Sequence, residues 1–240
     1  FGGLKALQEL SFSIPEKTVF SIIGPNGAGK TTFFNIVTGI YRPTGGDVRL
    51  YGESIVGLEP SRIVERGVCR TFQNIRLFQN LTVLENVMIG RQLHGRTGLG
   101  DILLRTQRFR AQEAETLDRA AEILDYVGIL DDANALAKNL PYGRQRRLEI
   151  ARALATAPRL LLLDEPTAGM NPSESEEMVQ LFQRICEERG VCVLMIEHDM
   201  KVVMGVSQRI LVLNFGRQIA LGSPREVLEN EEVITAYLGH

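Results

Sequence analysis

Lys30, Thr31 and Thr32 directly follow the glycine-punctuated stretch Gly24-Pro25-Asn26-Gly27-Ala28-Gly29, so that Gly24, Gly29, Lys30 and Thr31 match the spacing G-x-x-x-x-G-K-[ST]. Such a stretch binds phosphate. Glycines let successive backbone N–H groups turn inward as a concave anion nest, and a helix starting at the end of the loop adds the positive end of its dipole. Lys30 is expected to reach the β- and γ-phosphates of a nucleotide, and the Thr31 hydroxyl to bind Mg²⁺. From residue frequencies, this four-position match arises in roughly 1% of chains of this length, so a merely glycine-rich loop is the weaker reading.

Two acids, an imidazole and an amide offer the rest of a hydrolytic site. Asp164 and Glu165 end an apolar run over 159–163; Asp164 can hold Mg²⁺ through water, and Glu165 can orient and deprotonate an attacking water. Alone, such a pair is a helix cap or a solvated turn, but beside a phosphate loop the catalytic reading prevails. His198 follows the apolar run 191–196, on the edge where open α/β sheets bind ligands. It could hydrogen-bond the γ-phosphate and hold Glu165 in line, although a lone histidine is more commonly a structural donor. Gln73, past the strand-like run 68–72, can bind Mg²⁺ and the attacking water through its amide oxygen, or simply be a solvated loop residue. The segment Leu140-Pro141-Tyr142-Gly143-Arg144-Gln145-Arg146-Arg147 opens another helical run, 148–156, where N–H groups near Gly143 make a second anion site; a basic surface helix is the plainer alternative.

The elements around these residues must bring several strand ends together. Residues 19–23 read as a buried strand before the phosphate loop, and a helical pattern runs from Thr31 towards Val37. Residues 4–14 alternate as a strand, 15–17 turn, and 47–51 make a further short strand, so an antiparallel β-layer is expected. A short helix over 61–66 precedes the 68–72 strand. Helical periodicity then covers 82–93 and 106–127, around a glycine-punctuated stretch at 95–100, with no strand pattern between. A helical insertion from Asn74 to about Asn134 follows from this, and with the segment after Leu140 it makes a subdomain over approximately 74–157 within a single 1–240 domain. The apolar residues of 74–81 form either a covered joint or an exposed docking groove. A helix over 171–188, a strand pair turning at Asn214-Phe215-Gly216 and a helical tail over 224–237 complete the chain.

With 240 residues, 44% of them hydrophobic and 23% charged, the chain can bury one large core. A net charge of −2 provides no global basic field, so no nucleic-acid partner is expected. Cys69, Cys186 and Cys192 lack C-x-x-C spacing and are expected as buried thiols in a reducing compartment. No apolar run reaches 18 residues and no signal peptide opens the sequence, so membrane involvement is expected through a partner. Because the sequence opens on Phe1 rather than Met, residues upstream are expected to be missing.

The phosphate loop, Gln73, the segment 140–145, Asp164-Glu165 and His198 together resemble, in order and spacing over the whole chain, an ATP-binding cassette (ABC) ATPase. The resemblance implies an α/β P-loop NTPase core with an antiparallel β-layer and an inserted α-helical subdomain, closing as a head-to-tail dimer on two ATP molecules. Residues 24–32 then correspond to the Walker A loop, Gln73 to the Q-loop glutamine, Asp164 to the Walker B acid, Glu165 to the catalytic base and His198 to the switch histidine. Phe1, in Phe1-Gly2-Gly3-Leu4, looks like the aromatic that stacks on adenine; by chemistry alone it is a frayed terminal residue. Tyr142-Gly143 stand in a signature segment that departs from L-S-G-G-Q. Pro141 replaces the serine hydroxyl and Arg144 a glutamine, so phosphate contact across the dimer would rest on backbone N–H groups. Finer features, Arg70-Thr71-Phe72-Gln73, Arg146-Arg147-Leu148-Glu149-Ile150-Ala151-Arg152, Glu197-His198-Asp199-Met200 and the ending Ala236-Tyr237-Leu238-Gly239-His240, look like the larger ATPase subunit of branched-chain amino acid importers.

What this resemblance implies is an ATPase motor using ATP and Mg²⁺ at the cytoplasmic face of the inner membrane. Its partners would be permease subunits, a second ATPase subunit in a homo- or heterodimer and, indirectly, a substrate-binding protein. Alternatives are another cargo (urea, another amino acid, or lipopolysaccharide export), a half-site with slow turnover, and a soluble ABC ATPase of repair or translation. Against the last, this sequence has neither the long coiled coil of the repair members nor the second cassette usual in the translation members.

Overall fold

The computed structural model describes residues 5–92 and 106–238. Phe1 and the 95–100 stretch lie outside the described residues. The chain forms two compact units, one from the residues up to Gln73 together with those from Arg159 onward, the other Asn74–Pro158.

In the first unit, β1 (Val19–Ile23), α1 (Lys30–Val37), β2 (Arg49–Leu50), β3 (Glu53–Ser54), α2 (Pro60–Glu65) and β4 (Val68–Arg70) come before the second unit in sequence. In the second unit lie α3 (Val83–Arg91), α4 (Gln107–Tyr126) and α5 (Tyr142–Ala155). The first unit resumes with β5 (Leu160–Asp164), α6 (Pro172–Arg189), β6 (Cys192–Ile196), α7 (Met200–Val206), β7 (Arg209–Asn214), β8 (Arg217–Gly222), α8 (Pro224–Leu228) and α9 (Glu231–Leu238).

Six strands form one sheet in the order β4-β5-β6-β1-β7-β8, parallel except for the antiparallel β7–β8 pair. A parallel sheet covered on both faces selects strands that are apolar throughout rather than alternating. β1 and β6 are accordingly buried along their whole length. Ser21 is the polar residue of β1, and its hydroxyl lies 2.6 Å from that of Ser207. One face packs Phe20, Ile22, Phe34, Leu162, Leu194 and Leu211, the other Ile23, Val203, Ile210, Val212, Val227 and Val233. Each of the larger side chains contributes about 1.5–3 kcal/mol by leaving water.

The expected strand over 4–14 does not form: the described part of that stretch is irregular. Its alternation has another cause. Leu7, Leu10, Phe12 and Ile14 turn one side of the stretch onto the core, where Phe12 stacks on Phe20 at 5.7 Å, but no strand ladder accompanies them. The antiparallel layer is thus reduced to the two-residue pairing of β2 with β3, beside the β7–β8 pair. A helix that the sequence reading did not anticipate, α7, starts on Asp199, whose side chain accepts the Lys201 N–H at 2.8 Å.

In the second unit α3 packs on α4 and α5. It opens with a reciprocal cap in which the Thr82 hydroxyl takes the Glu85 N–H while the Glu85 carboxylate takes the Thr82 N–H. The expected 148–156 helix starts earlier, at Tyr142, with Pro141 as its extended cap. The intervening Arg and Gln residues are good helix formers. All three cysteines are free, Cys186 and Cys192 buried. Among the described residues no helix is long and apolar enough to cross a membrane.

Candidate functional site

Strand register gathers the candidate residues on one edge. Ile22 and Asp164 both pair with Ile196, and Ile23 pairs with Val212. The phosphate loop, Glu165 and Glu197-His198 therefore all leave the sheet at the same level, the carboxyl ends of parallel strands. Gln73 joins them three residues after β4, whose exit is tied to β5 by the Thr71 N–H to the Leu162 carbonyl at 2.9 Å.

The loop's shape depends on its glycines. Gly24 has φ +150°, and a Cβ there would lie 2.1 Å from the Leu213 carbonyl oxygen. Gly29, at φ +100°, precedes the first residue of α1 and leaves no room for a Cβ beside Leu7 and Ala6. No side-chain cap covers the start of α1, so its first N–H groups stay available to an anion. The Lys30 ammonium donates to the carbonyls of Gly24 at 2.6 Å and Pro25 at 2.9 Å. Burial lowers its pKa, and the charges of Glu165 and Asp164 pull it back up, which places both acids within electrostatic reach of the lysine. Pro25 and Thr32 are half-buried, Asn26, Gly27 and Thr31 exposed, and Ala28 buried.

Asp164 is nearly buried and its Oδ2 accepts the Arg70 guanidinium at 2.8 Å. Arg70 is itself packed between the rings of Phe34 (5.3 Å) and Phe72 (5.1 Å) and donates to Asn35 at 2.7 Å. Glu165 stands at φ +47°, a left-handed conformation that costs a side-chain-bearing residue about 1–3 kcal/mol. It accepts the Gln73 amide at 2.8 Å and lies 3.8 Å from His198 Nδ1. Lys30, Asp164, Glu165, Gln73 and His198 thus share one neighbourhood.

Tyr142 and Gly143 begin α5 in the other unit. Tyr142 is exposed, and its hydroxyl is 3.2 Å from an Arg146 guanidinium nitrogen. Arg144 is paired with Asp132, a hydrogen bond that raises the guanidinium pKa. In the same unit, residues 74–81 are fastened rather than loose. Buried Asn86 bonds both the N–H and the carbonyl of Phe78, and Glu149 accepts the Arg76 N–H at 3.3 Å. Phe78 stays exposed with Arg152 over its ring at 5.7 Å.

Sequence reasoning placed Arg70 and Glu197 in segments that carry the finer resemblance but gave neither a role in the site. The signal for Arg70 was a cation inside a strand flanking the acid-tipped β5, and for Glu197 an acid directly after a fully apolar strand. Among the described residues no cluster of three His, Cys, Asp or Glu side chains could hold a metal by itself. One hydroxyl, one amide and one carboxylate suit Mg²⁺, which takes one or two carboxylates and completes its shell with water and substrate phosphates.

Residues 7–168 match the family model described as ABC transporter, and residues 217–240 match one described as branched-chain amino acid ATP-binding cassette transporter. The chain is 49% identical, over 100% of its length and 94% of the relative's, to the high-affinity branched-chain amino acid transport ATP-binding protein LivG of Salmonella typhimurium. It is 48% identical, with the same coverage, to BraF of Pseudomonas aeruginosa, which carries the same description. Among solved structures it resembles the ADP conformation of MJ1267, an ATP-binding cassette of an ABC transporter, with TM-score 0.86 and 31% identity, covering 100% of this chain and 95% of the other. It also resembles the dimeric cassette MJ0796, with TM-score 0.76, 30% identity and 92% of each chain covered. The chain belongs to the ABC transporter family, as a nucleotide-binding ATPase subunit.

Proposed function

We propose that this protein is the ATP-hydrolysing motor of a branched-chain amino acid importer, bound to permease subunits at the cytoplasmic face of the membrane. The observation that carries the ATPase site is the gathering of Lys30, Asp164, Glu165, Gln73 and His198 at one strand edge. The phosphate loop binds the triphosphate with its N–H groups and Lys30, and Thr31, Gln73 and Asp164 hold Mg²⁺, which supplies charge neutralisation of the phosphates. Glu165 accepts the proton of the attacking water, and His198 keeps Glu165 and the γ-phosphate aligned. Tyr142 and Gly143, through the start of α5, serve the nucleotide of a second ATPase subunit in a head-to-tail dimer. Ile75, Leu77 and Phe78 receive the permease. The cargo reading rests on the names of the relatives and on the match over 217–240.

Glu165→Gln is expected to cut hydrolysis ~10²–10⁴-fold while trapping an ATP-bound dimer; undiminished turnover would remove Glu165 as the base. Lys30→Ala should abolish nucleotide binding, measured by titration with a fluorescent ADP. For the cargo, ATPase activity of the chain reconstituted with its permease should rise with a leucine-loaded binding protein and stay flat with a urea-loaded one.

A further inference from the structure

Glu197 is 1% exposed, yet it carries a carboxylate. Four hydrogen bonds reach it, close to the capacity of an ionised carboxylate. One oxygen accepts the Thr167 N–H at 3.1 Å and the Thr167 hydroxyl; the other accepts the N–H groups of His198 at 2.8 Å and Asp199 at 3.2 Å. The two pairs of donors belong to different elements. Thr167 lies in the turn closed by the Ala168 N–H on the Glu165 carbonyl at 3.2 Å, while His198 and Asp199 lie between β6 and α7. A further bond, from the Glu165 N–H to the Ile196 carbonyl at 2.9 Å, ties the same two segments one residue earlier. Glu165 sits between these ties in its left-handed conformation. Such a conformation persists only where the surroundings over-determine it.

We infer that Glu197 is a positioning residue for hydrolysis: by clamping Thr167 to the backbone of His198, it fixes the separation between the Glu165 carboxylate and the His198 imidazole. The inference rests on the reading of Glu165 as the base and His198 as its aligner. A carboxylate is required because both of its ends face N–H donors. An amide of the same shape would turn its NH₂ towards one of them. The Thr167 hydroxyl can rotate to accept that NH₂, but the Thr167 N–H cannot and would lose its acceptor.

The test is steady-state ATP hydrolysis by the full chain assembled with its permease, for Glu197→Gln, Thr167→Val, Thr167→Ser and Glu165→Gln, with Mg·ADP affinity measured in parallel. Glu197→Gln is expected to lower kcat roughly 10- to 100-fold, as a misplacement of about 1 Å does. KM for ATP and the Mg·ADP affinity should stay within about twofold, because an interaction felt only in the transition state leaves binding alone. Thr167→Ser should keep kcat and Thr167→Val should lose about threefold or more, since Ser alone preserves the hydroxyl donor. Wild-type kcat in folded Glu197→Gln, or a loss of kcat matched by an equal loss of Mg·ADP affinity, overturns the inference. Should Glu197→Gln not fold, equal kcat in Thr167→Val and Thr167→Ser overturns it. Undiminished turnover in Glu165→Gln would instead remove the underlying base assignment, and the clamp with it.

Discussion

Among the described residues each of the two units buries one arginine–carboxylate pair, and the two pairs are alike in length. Arg70 meets Asp164 at 2.8 Å in the first, and Arg146 meets Glu149 at 2.8 Å in the second. Both guanidinium groups lie near aromatic rings, Phe34 and Phe72 for Arg70, Tyr142 for Arg146. They differ in how completely the acid is used. Glu149 gives Oε2 to Arg146 and Oε1 to the Arg76 N–H. Asp164, among the described residues, accepts a hydrogen bond from Arg70 alone, which engages Oδ2. A carboxylate bonded at both oxygens holds structure, whereas one with an unbonded oxygen at a phosphate-binding edge can still take a cation. The comparison teaches that the same buried chemistry can use up its carboxylate as a fastener in one unit and leave a carboxylate oxygen open to a ligand in the other.

The sharpest way to break that contrast is to delete each arginine. Arg146→Met leaves the Glu149 charge buried and is expected to cost about 3–5 kcal/mol in urea unfolding, whereas Arg146→Met with Glu149→Leu should recover most of it. If the single and double variants are equally stable, the pair is no fastener. Mg·ADP should stabilise the single variant by no more than it stabilises the unsubstituted protein.

Arg70→Met is expected to cost less, about 2 kcal/mol, because Asp164 has the more open surroundings and loses one charged hydrogen bond. Here Mg·ADP should restore stability. With its guanidinium neighbour gone, Asp164 attracts a divalent cation more strongly, so the Tm gain on adding Mg·ADP should exceed that of the unsubstituted protein. An identical gain in both would show that Asp164 does not face the metal.

The phosphate loop and the acid-tipped β5 were legible because both depend on local order: glycines at fixed offsets and an unbroken leucine run. The register that aligns Asp164, Ile22 and Ile196 was not legible, since it is decided by which strands become neighbours. The pairing of Arg70 with Asp164 was missed for that reason, because the two lie 94 positions apart and a cation inside a strand does not by itself say which acid it meets. The failed strand over 4–14 shows the converse error. Alternation records which side chains are buried, and Leu7, Leu10 and Phe12 satisfy it by packing on the core without a ladder.

The smallest effect should come from Arg144, which stands where the family's signature has glutamine. Its partner Asp132 is half-buried, but the guanidinium is 46% exposed. An exposed pair of this kind contributes about 0–1 kcal/mol, and salt screens it further. Arg144→Gln should therefore leave thermal stability nearly unchanged, with any difference shrinking as NaCl rises. It removes a cation from the first turn of α5, where a positive charge opposes the helix dipole but favours an approaching phosphate. If the first turn of α5 meets the nucleotide of a second subunit, Arg144→Gln should weaken ATP-driven dimerisation of the Glu165→Gln chain, read by sedimentation, while leaving its unfolding curve in place. A change in unfolding without a change in dimerisation would make Arg144, like Arg146, a fastener of its own unit.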